Sequence, residues 1–359
     1  MAAINISYSA VQAWRQCQQL YDYRYVQGLK PKADEAAPTL GRALHHYLEH
    51  YYNGLQMSEP PNDAHRAAWE DMQTTYDREA TNMGNAAYAA GMTELADSLF
   101  GVVDRAVNIA NRYYHTRGKA DAGAWEILHV ERWLEYPLDK GIDTPTRIDL
   151  ITRDGMGRNW LWEHKSLNEF PPQTRRMKDL QTTLYAALAE QALGLKIDGV
   201  VWNYLRTKTP TVPETLKSGL LSMRKDLDTT WGTYLVEIER LGQDPTMYDQ
   251  ARQRLESREE TAFFVRHDQP LYQSEGVLLR DFVATARTIK AVYESGVAFV
   301  PVRTIERHCD WCPMNRLCEA VVTGGDDVDL IERLYTRRNG KEELVGSTGD
   351  PVTDEGFWN

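Results

Sequence analysis

One stretch of the sequence carries residues able to hold a hard divalent cation: Asp149 in Thr146-Arg147-Ile148-Asp149, and Glu163 and Lys165 in Trp162-Glu163-His164-Lys165. Asp154-Gly155-Met156-Gly157 lies between them and reads as a tight turn. A turn centred on Met156 sets Asp149 opposite Glu163 on antiparallel strands, with Cβ atoms about 5 Å apart. Two carboxylates at that distance repel by about 3 kcal/mol at an effective dielectric of about 20. Their neighbours Ile148, Leu150, Leu161 and Trp162 are apolar, so the pair needs a compensating cation, and Mg²⁺ or Mn²⁺ suits carboxylate oxygens. Lys165 lies two residues beyond Glu163 and shares its strand face, while His164 points to the other. The alternative is a structural salt bridge between Lys165 and one carboxylate, and a register slip of one residue separates the pair.

Other residues could join this group. In Thr39-Leu40-Gly41-Arg42-Ala43-Leu44-His45-His46, Gly41 precedes His45 by one helical turn, and a small residue there lets another backbone approach the imidazole. His46 and His50 are close by, and residue chemistry alone does not choose among the three. Gln181 and Tyr185 are four apart and lie on one helix face, which is equally the pattern of an amphipathic helix edge. The chain has four cysteines, Cys17, Cys309, Cys312 and Cys318, too sparse for a disulfide scaffold and enough for one four-thiolate site. Four thiolates can hold Zn²⁺ or an iron–sulfur cluster, and spacing alone decides neither.

The elements that must position these groups follow from periodicity. A helix capped by Ser7 or Ser9 is expected to run through Cys17 towards Tyr25, and one capped by Thr39 from Leu40 to about Tyr52. Pro60-Pro61 breaks the chain, and helical spacing resumes over 63–117. From Trp125 the period changes to two, predicting strands over 127–136, 146–152 and 159–166, then a helix over 173–193 and a strand over 199–205. Helical patterns follow at about 222–241 and 246–258, a strand at 262–266 and a helix over 275–295. The expected fold class is α/β, a mixed central sheet flanked by helices with helical insertions. The segments read as N-terminal helices (1–56), a helical insertion (57–120), the core (121–206), a helical and irregular region (207–300), the cysteine segment (301–322) and a flexible acidic tail (323–359).

Composition bounds the reading. At 359 residues with 42% hydrophobic and 26% charged residues the chain is globular and can bury a large core. Its net charge of −11 argues against coating nucleic acid through bulk positive charge, yet leaves room for a local basic groove. With no apolar run long enough for a bilayer and no signal-peptide pattern, a cytoplasmic protein with no membrane partner is expected, in a host cytoplasm if it is phage-encoded.

In order along the chain, Gly41-x-x-x-His45, Asp149, Glu163-x-Lys165 and Gln181-x-x-x-Tyr185 resemble the PD-(D/E)XK nuclease superfamily and its RecB-like branch. The likeness covers about 5–55, 125–206 and the cysteine segment. It implies a restriction-endonuclease-like core in which His45, Asp149, Glu163 and the backbone carbonyl of His164 ligate Mg²⁺ or Mn²⁺. It also implies that Lys165 orients the attacking water and that Gln181 and Tyr185 position the strand or Lys165. Thr146-Arg147-Ile148 stands where Gly-Arg-Ile is common, and Glu-His-Lys where Asp-Tyr-Lys is frequent, which leaves the ligands intact. One N-terminal and three C-terminal cysteines resemble the iron-staple nucleases, the AddB-type and CRISPR-associated RecB-like exonucleases, and imply a [4Fe–4S] cluster on Cys17, Cys309, Cys312 and Cys318, with zinc as the alternative occupant. The implied activity is metal-dependent exonucleolytic hydrolysis of DNA, single strands or ends, in recombination, repair or end processing, with recombination or helicase factors as conceivable partners. The alternative is a noncatalytic DNA-binding or scaffold subunit with the same fold. Basic and aromatic residues interleave at Trp14, Arg15, Tyr21, Tyr23, Arg24 and Lys30, and basic residues recur at Arg175, Arg176, Lys178, Arg206 and Lys208, a mixture that suits single-strand binding or else a solvated face over core tyrosines.

Overall fold

The computed structural model describes residues 4–32, 36–271, 275–295 and 298–337. A short strand, β1 (Ile4–Asn5), leads into helix α1 (Tyr8–Gln16), capped by the Ser7 hydroxyl, which accepts from the Ala10 N–H. The sequence predicts one helix continuing towards Tyr25. Instead Cys17 is extended (φ −161°, ψ 117°) and the chain restarts as α2 (Gln18–Tyr21). A tertiary partner competes successfully here, because the Gln19 N–H donates to the Val302 carbonyl at 3.3 Å. After β2 (Leu29–Pro31) comes α3 (Ala36–Gln56), which starts ahead of Thr39; that threonine is buried inside the helix, its hydroxyl accepting from Arg42. The helical layer continues with α4 (Pro61–Ala89), α5 (Thr93–Phe100), α6 (Val102–Tyr113) and α7 (Lys119–Ala124).

The sheet begins with β3 (Glu126–Asp139), β4 (Ile142–Arg153) and β5 (Asn159–Leu167), antiparallel in sequence. Residues 173–193 form two helices rather than one, α8 (Gln173–Arg176) and α9 (Leu180–Leu193). Asp179 between them is extended and caps α9 by accepting from the Thr182 N–H at 2.7 Å. The crossover returns to β6 (Gly199–Arg206), parallel to β5. Helix α10 (Trp231–Arg240) is shorter than its sequence pattern, beginning only where Thr230 accepts from the Thr233 N–H. It packs with α11 (Asp249–Leu255) in a small satellite cluster of Leu221, Tyr234, Ile238, Tyr248 and Leu255. β7 (Phe264–Pro270) adds antiparallel to β6, and α12 (Glu275–Glu294) follows.

Six strands thus form a mixed sheet, with β3 on one edge of β4 and the order β4-β5-β6-β7 on the other. One core cluster packs α1, α9 and α12 against the sheet, through Leu161, Val200, Trp202 and Tyr204. The second packs α3, α4 and α6 against it, through Leu150, Trp162, Val201 and Leu205. The alternation of these residues along β5 and β6 is what a strand buried on both faces requires. On its edge away from β3, β4 pairs with β1 at Ile142–Asp143 and with β5 from Leu150 to Arg153, leaving 144–149 paired with neither. Asp149 sits at the upper lip of that opening.

The expected tail, 323–359, is structured over its first part. α13 (Asn315–Thr323) is followed by α14 (Asp327–Leu334), capped by Asp326, and by β8 (Tyr335–Arg337), antiparallel to β2. Ile331 and Leu334 pack on the main core, so apolar anchors and a cap overcome the local acidity. The remainder of the tail, 338–359, lies outside the described residues. No described helix is long and apolar enough to cross a membrane.

Asp228 ties the end of β6 to the region beyond it. It accepts from Arg206 by both oxygens at 2.8 Å and from Arg258 at 2.8 Å, and pairs with Lys208 at 3.2 Å. The Arg206 hydrogen bonds, with Lys208, hold its pKa down to about 2. A depressed carboxylate contributes stability that is fully present above its unfolded value of about 4 and is lost as pH falls through the folded one. Asp228→Asn is therefore expected to destabilise by about 2 kcal/mol at neutral pH in urea unfolding, with the gap to the parent shrinking below pH of about 4; a gap independent of pH would contradict this.

Candidate active site

Where β4 and β5 part, the ladder ends with Leu150 opposite Trp162, the register that a turn centred on Met156 requires. One step on, the Asp149 carboxylate accepts from the His164 backbone N–H at 2.8 Å. Glu163, only 2% exposed, directs Oε1 to Lys165 Nζ at 2.9 Å. Its other oxygen, Oε2, is buried with no hydrogen-bond partner among the described residues. Burial, opposed by Lys165 and reinforced by Asp149, pushes the Glu163 pKa up to about 8. A buried carboxylate oxygen with nothing to accept from is costly unless a cation fills the place.

His45, on α3, places Nδ1 3.9 Å from Asp149 Oδ2, and its ring hydrogen-bonds the His164 backbone carbonyl. Burial lowers its pKa against the pull of Asp149, keeping the ring neutral as a ligand must be. Lys165 also donates to Gln181 Oε1 at 3.1 Å, and Tyr185, hydrogen-bonded to Gln181, extends the chain along α9. The structure thus brings together His45, Asp149, Glu163, the His164 carbonyl, Lys165, Gln181 and Tyr185.

Glu131 belongs to the same group and escapes sequence reasoning. Its carboxylate and ligand atoms of His45 and Asp149 all lie within 4.8 Å of one another. On β3, Val130 faces Leu150 and Arg132 faces Ile148, so Glu131 is level with Asp149. A plain hairpin through Lys140-Gly141, continuing the pairing of Asp139 with Ile142, would set Glu131 against Leu150 instead. A register shift between Pro137 and Asp139 moves it by one residue. Pro137, which cannot donate to a ladder, is the available signal for that irregularity. Glu131 has φ +44°, a left-handed conformation rare for a side chain of this kind and found where surrounding structure imposes it. Arg147 holds it there, with Nε 2.6 Å from Glu131 and Nη2 3.0 Å from Glu49 of α3. Burial and the neighbouring Asp149 raise the Glu131 pKa.

His164 is fixed by a buried network from distant parts of the chain. Asn203 Nδ2 donates to His164 Nδ1 at 2.9 Å and to the Tyr113 hydroxyl at 3.0 Å. Arg266 donates to Asn203 at 3.0 Å, to Tyr113 at 2.7 Å and to both oxygens of Asp121, while Tyr52 donates to Asp121 at 2.7 Å. Burial lowers the His164 pKa to about 3, so its ring stays neutral in this network.

Cys17, Cys312 and Cys318 pack against the main core, and Cys312 has the other three cysteines as neighbours. All are free thiols of intermediate exposure, and burial, with Cys17, Cys309 and Cys318 as neighbours, pushes the Cys312 thiol up to about 11. The N-terminal aromatic and basic residues do not form an open nucleic-acid surface. Tyr21, Tyr23 and Arg24 are buried, Trp14 stacks on Phe299, and Arg15 donates to Asp281 and Thr285. Lys30 is half-buried on β2. Arg206 and Lys208 are engaged with Asp228, and Arg176 donates to the Pro171 carbonyl. Arg175 and Lys178 are exposed, just ahead of the helix that carries Gln181.

A model of the PD-(D/E)XK nuclease superfamily matches residues 5–319, from β1 into α13. No curated protein matches the chain. His45, Glu131 and Asp149, with Glu163 beside them, could offer three carboxylates and one imidazole, an oxygen-rich donor set suited to Mn²⁺ and, through its carboxylates, to Mg²⁺. Calorimetric titration with Mn²⁺ is expected to show binding weakened at least about 10-fold by Asp149→Asn and by Glu131→Gln. Parent-like affinity in Glu131→Gln would remove that residue from the ligand set.

Proposed function

We propose, since the chain belongs to the PD-(D/E)XK nuclease superfamily, that it is a metal-dependent DNA exonuclease of the RecB-like kind, acting on single strands or ends. Members of the superfamily are nucleases that use divalent metals, and DNA is the substrate class that follows. The observation that carries the reading is the buried Glu163 Oε2, without a hydrogen-bond partner among the described residues, beside Lys165 and near Asp149. His45, Glu131, Asp149, Glu163 and the His164 carbonyl would hold the ion. A Mg²⁺ or Mn²⁺ bound there lowers the pKa of a coordinated water and neutralises charge on the scissile phosphate.

The protein's own groups do the rest. Lys165 sets a fixed positive charge where negative charge grows on the phosphate, and it can orient the attacking water. Gln181, itself held by Tyr185, fixes the ammonium from its other side, so the lysine needs little reorganisation during the reaction. Arg147 restrains the carboxylates of Glu131 and Glu49 without occupying Asp149. Arg175 and Lys178, exposed ahead of α9, would contact the phosphates of a bound strand.

The second cofactor in this reading is a [4Fe–4S] cluster on Cys17, Cys309, Cys312 and Cys318, with zinc as the competing occupant. Four free thiols, with Cys17, Cys309 and Cys318 neighbouring Cys312, fit either in donor chemistry. Such a cluster would lock α1 to the C-terminal segment, beside the pairing of β2 with β8. Its thiols require a reducing compartment, consistent with a cytoplasmic site of action in repair, recombination or end processing.

Protein purified anaerobically is expected to degrade end-labelled DNA with Mg²⁺ or Mn²⁺, and Lys165→Ala or Glu163→Gln to reduce the rate by about 100-fold or more with the fold retained by circular dichroism. Cleavage that survives either substitution, or none with either metal, would overturn the reading. The same preparation is expected to hold about four irons per chain, lost in Cys312→Ala; zinc in place of iron would overturn the cluster.

A further inference from the structure

His45 faces the carboxylates, but the same helix presents a second pair of imidazoles to a different neighbour. His46 and His50 are one turn apart on α3, their ring centroids separated by 4.3 Å. Asp71 on α4 sets one carboxylate oxygen 2.5 Å from His46 Nε2 and 3.6 Å from His50 Nε2. All three ligand atoms lie within 4.8 Å of one another. Tyr76 packs its ring edge-on against His46 at 5.6 Å, steadying that imidazole. The catalytic reading uses none of these residues.

We propose that His46, His50 and Asp71 form a separate, solvent-facing site for a borderline transition-metal ion of the Zn²⁺ class. Two imidazoles and one carboxylate are the donors such an ion prefers, whereas Mg²⁺ favours oxygen alone. Donors around a tetrahedral zinc stand about 3.4 Å apart, given metal–ligand bonds of about 2.1 Å. His50 at 3.6 Å from Asp71 already stands near that value, while His46 is hydrogen-bonded to Asp71 at 2.5 Å, a contact that a bound ion would replace with the two atoms about 1 Å further apart. His50 and Asp71 are exposed and His46 is half-buried, so an ion can reach the site and its fourth position is open to water.

The sequence His46-Tyr47-Leu48-Glu49-His50 has the His-x-x-Glu-His spacing of some zinc peptidases. Glu49 is nevertheless turned away and paired with Arg147 at 3.0 Å. The glutamate of that spacing is therefore not available to this site as a base, and the inference is of metal binding alone. An ion here would clamp α3 to α4 and so steady the helix that also presents His45 and Glu49.

The test is calorimetric titration with Zn²⁺ of the full chain, carrying Asp149→Asn to weaken the buried site, with and without His50→Ala. The thiols are common to both proteins and cancel in the comparison. The expected result is one binding event weakened at least 10-fold or lost in His50→Ala, and a matching loss in Asp71→Asn. Both are surface positions, and circular dichroism verifies their folding. Equal stoichiometry and affinity with and without His50→Ala would overturn the proposal, and so would Asp71→Asn binding as tightly as its parent.

Discussion

The structure is organised around buried negative charge at the place where β4 and β5 separate. Glu131, Asp149 and Glu163 converge there, and Glu49 stands behind them, with Arg147 and Lys165 as the opposing cations. Burial works against the Glu131 and Glu163 carboxylates, and the pKa values of both are raised. A divalent ion would turn the same crowding into affinity, because two cationic side chains leave the carboxylates in excess.

Keeping such a site open takes structure on all sides. The bare stretch of β4 between its pairings with β1 and β5 lets Asp149 turn to the His164 N–H, and the irregularity at Pro137 brings Glu131 level with it. Arg266, Asp121, Tyr113, Tyr52 and Asn203 fix His164 from behind, so its carbonyl is presented by a rigid support. On the opposite flank, Gln181 and Tyr185 hold Lys165 in a helix whose start is set by the Asp179 cap.

How much of this was legible in the sequence depended on distance along the chain. The Asp149–Glu163 register follows from one short turn, and local alternation suffices to read it. His45 could be chosen over His46 and His50 only through family resemblance, since all three lie within one and a half turns; the structure sends His45 to Asp149 and the other two to Asp71. Glu131 was hidden because a single irregular residue reverses which side chain faces Asp149. The network behind His164 joins residues from α3, α6, α7, β5, β6 and β7, and no local pattern reports contacts of that range. Tertiary partners also overrode local preference at Cys17, where a helix breaks, and over 327–337, where an acidic segment is anchored by Ile331, Leu334 and pairing with β2.

The claim on which the account rests is that one divalent ion sits among these particular side chains. Anomalous diffraction at the manganese edge from crystals soaked in Mn²⁺ tests it most directly. The account predicts a peak bounded by His45, Glu131, Asp149, Glu163 and the His164 carbonyl, adjacent to Lys165. A well-occupied manganese peak elsewhere on the protein, with none in this opening, would contradict it.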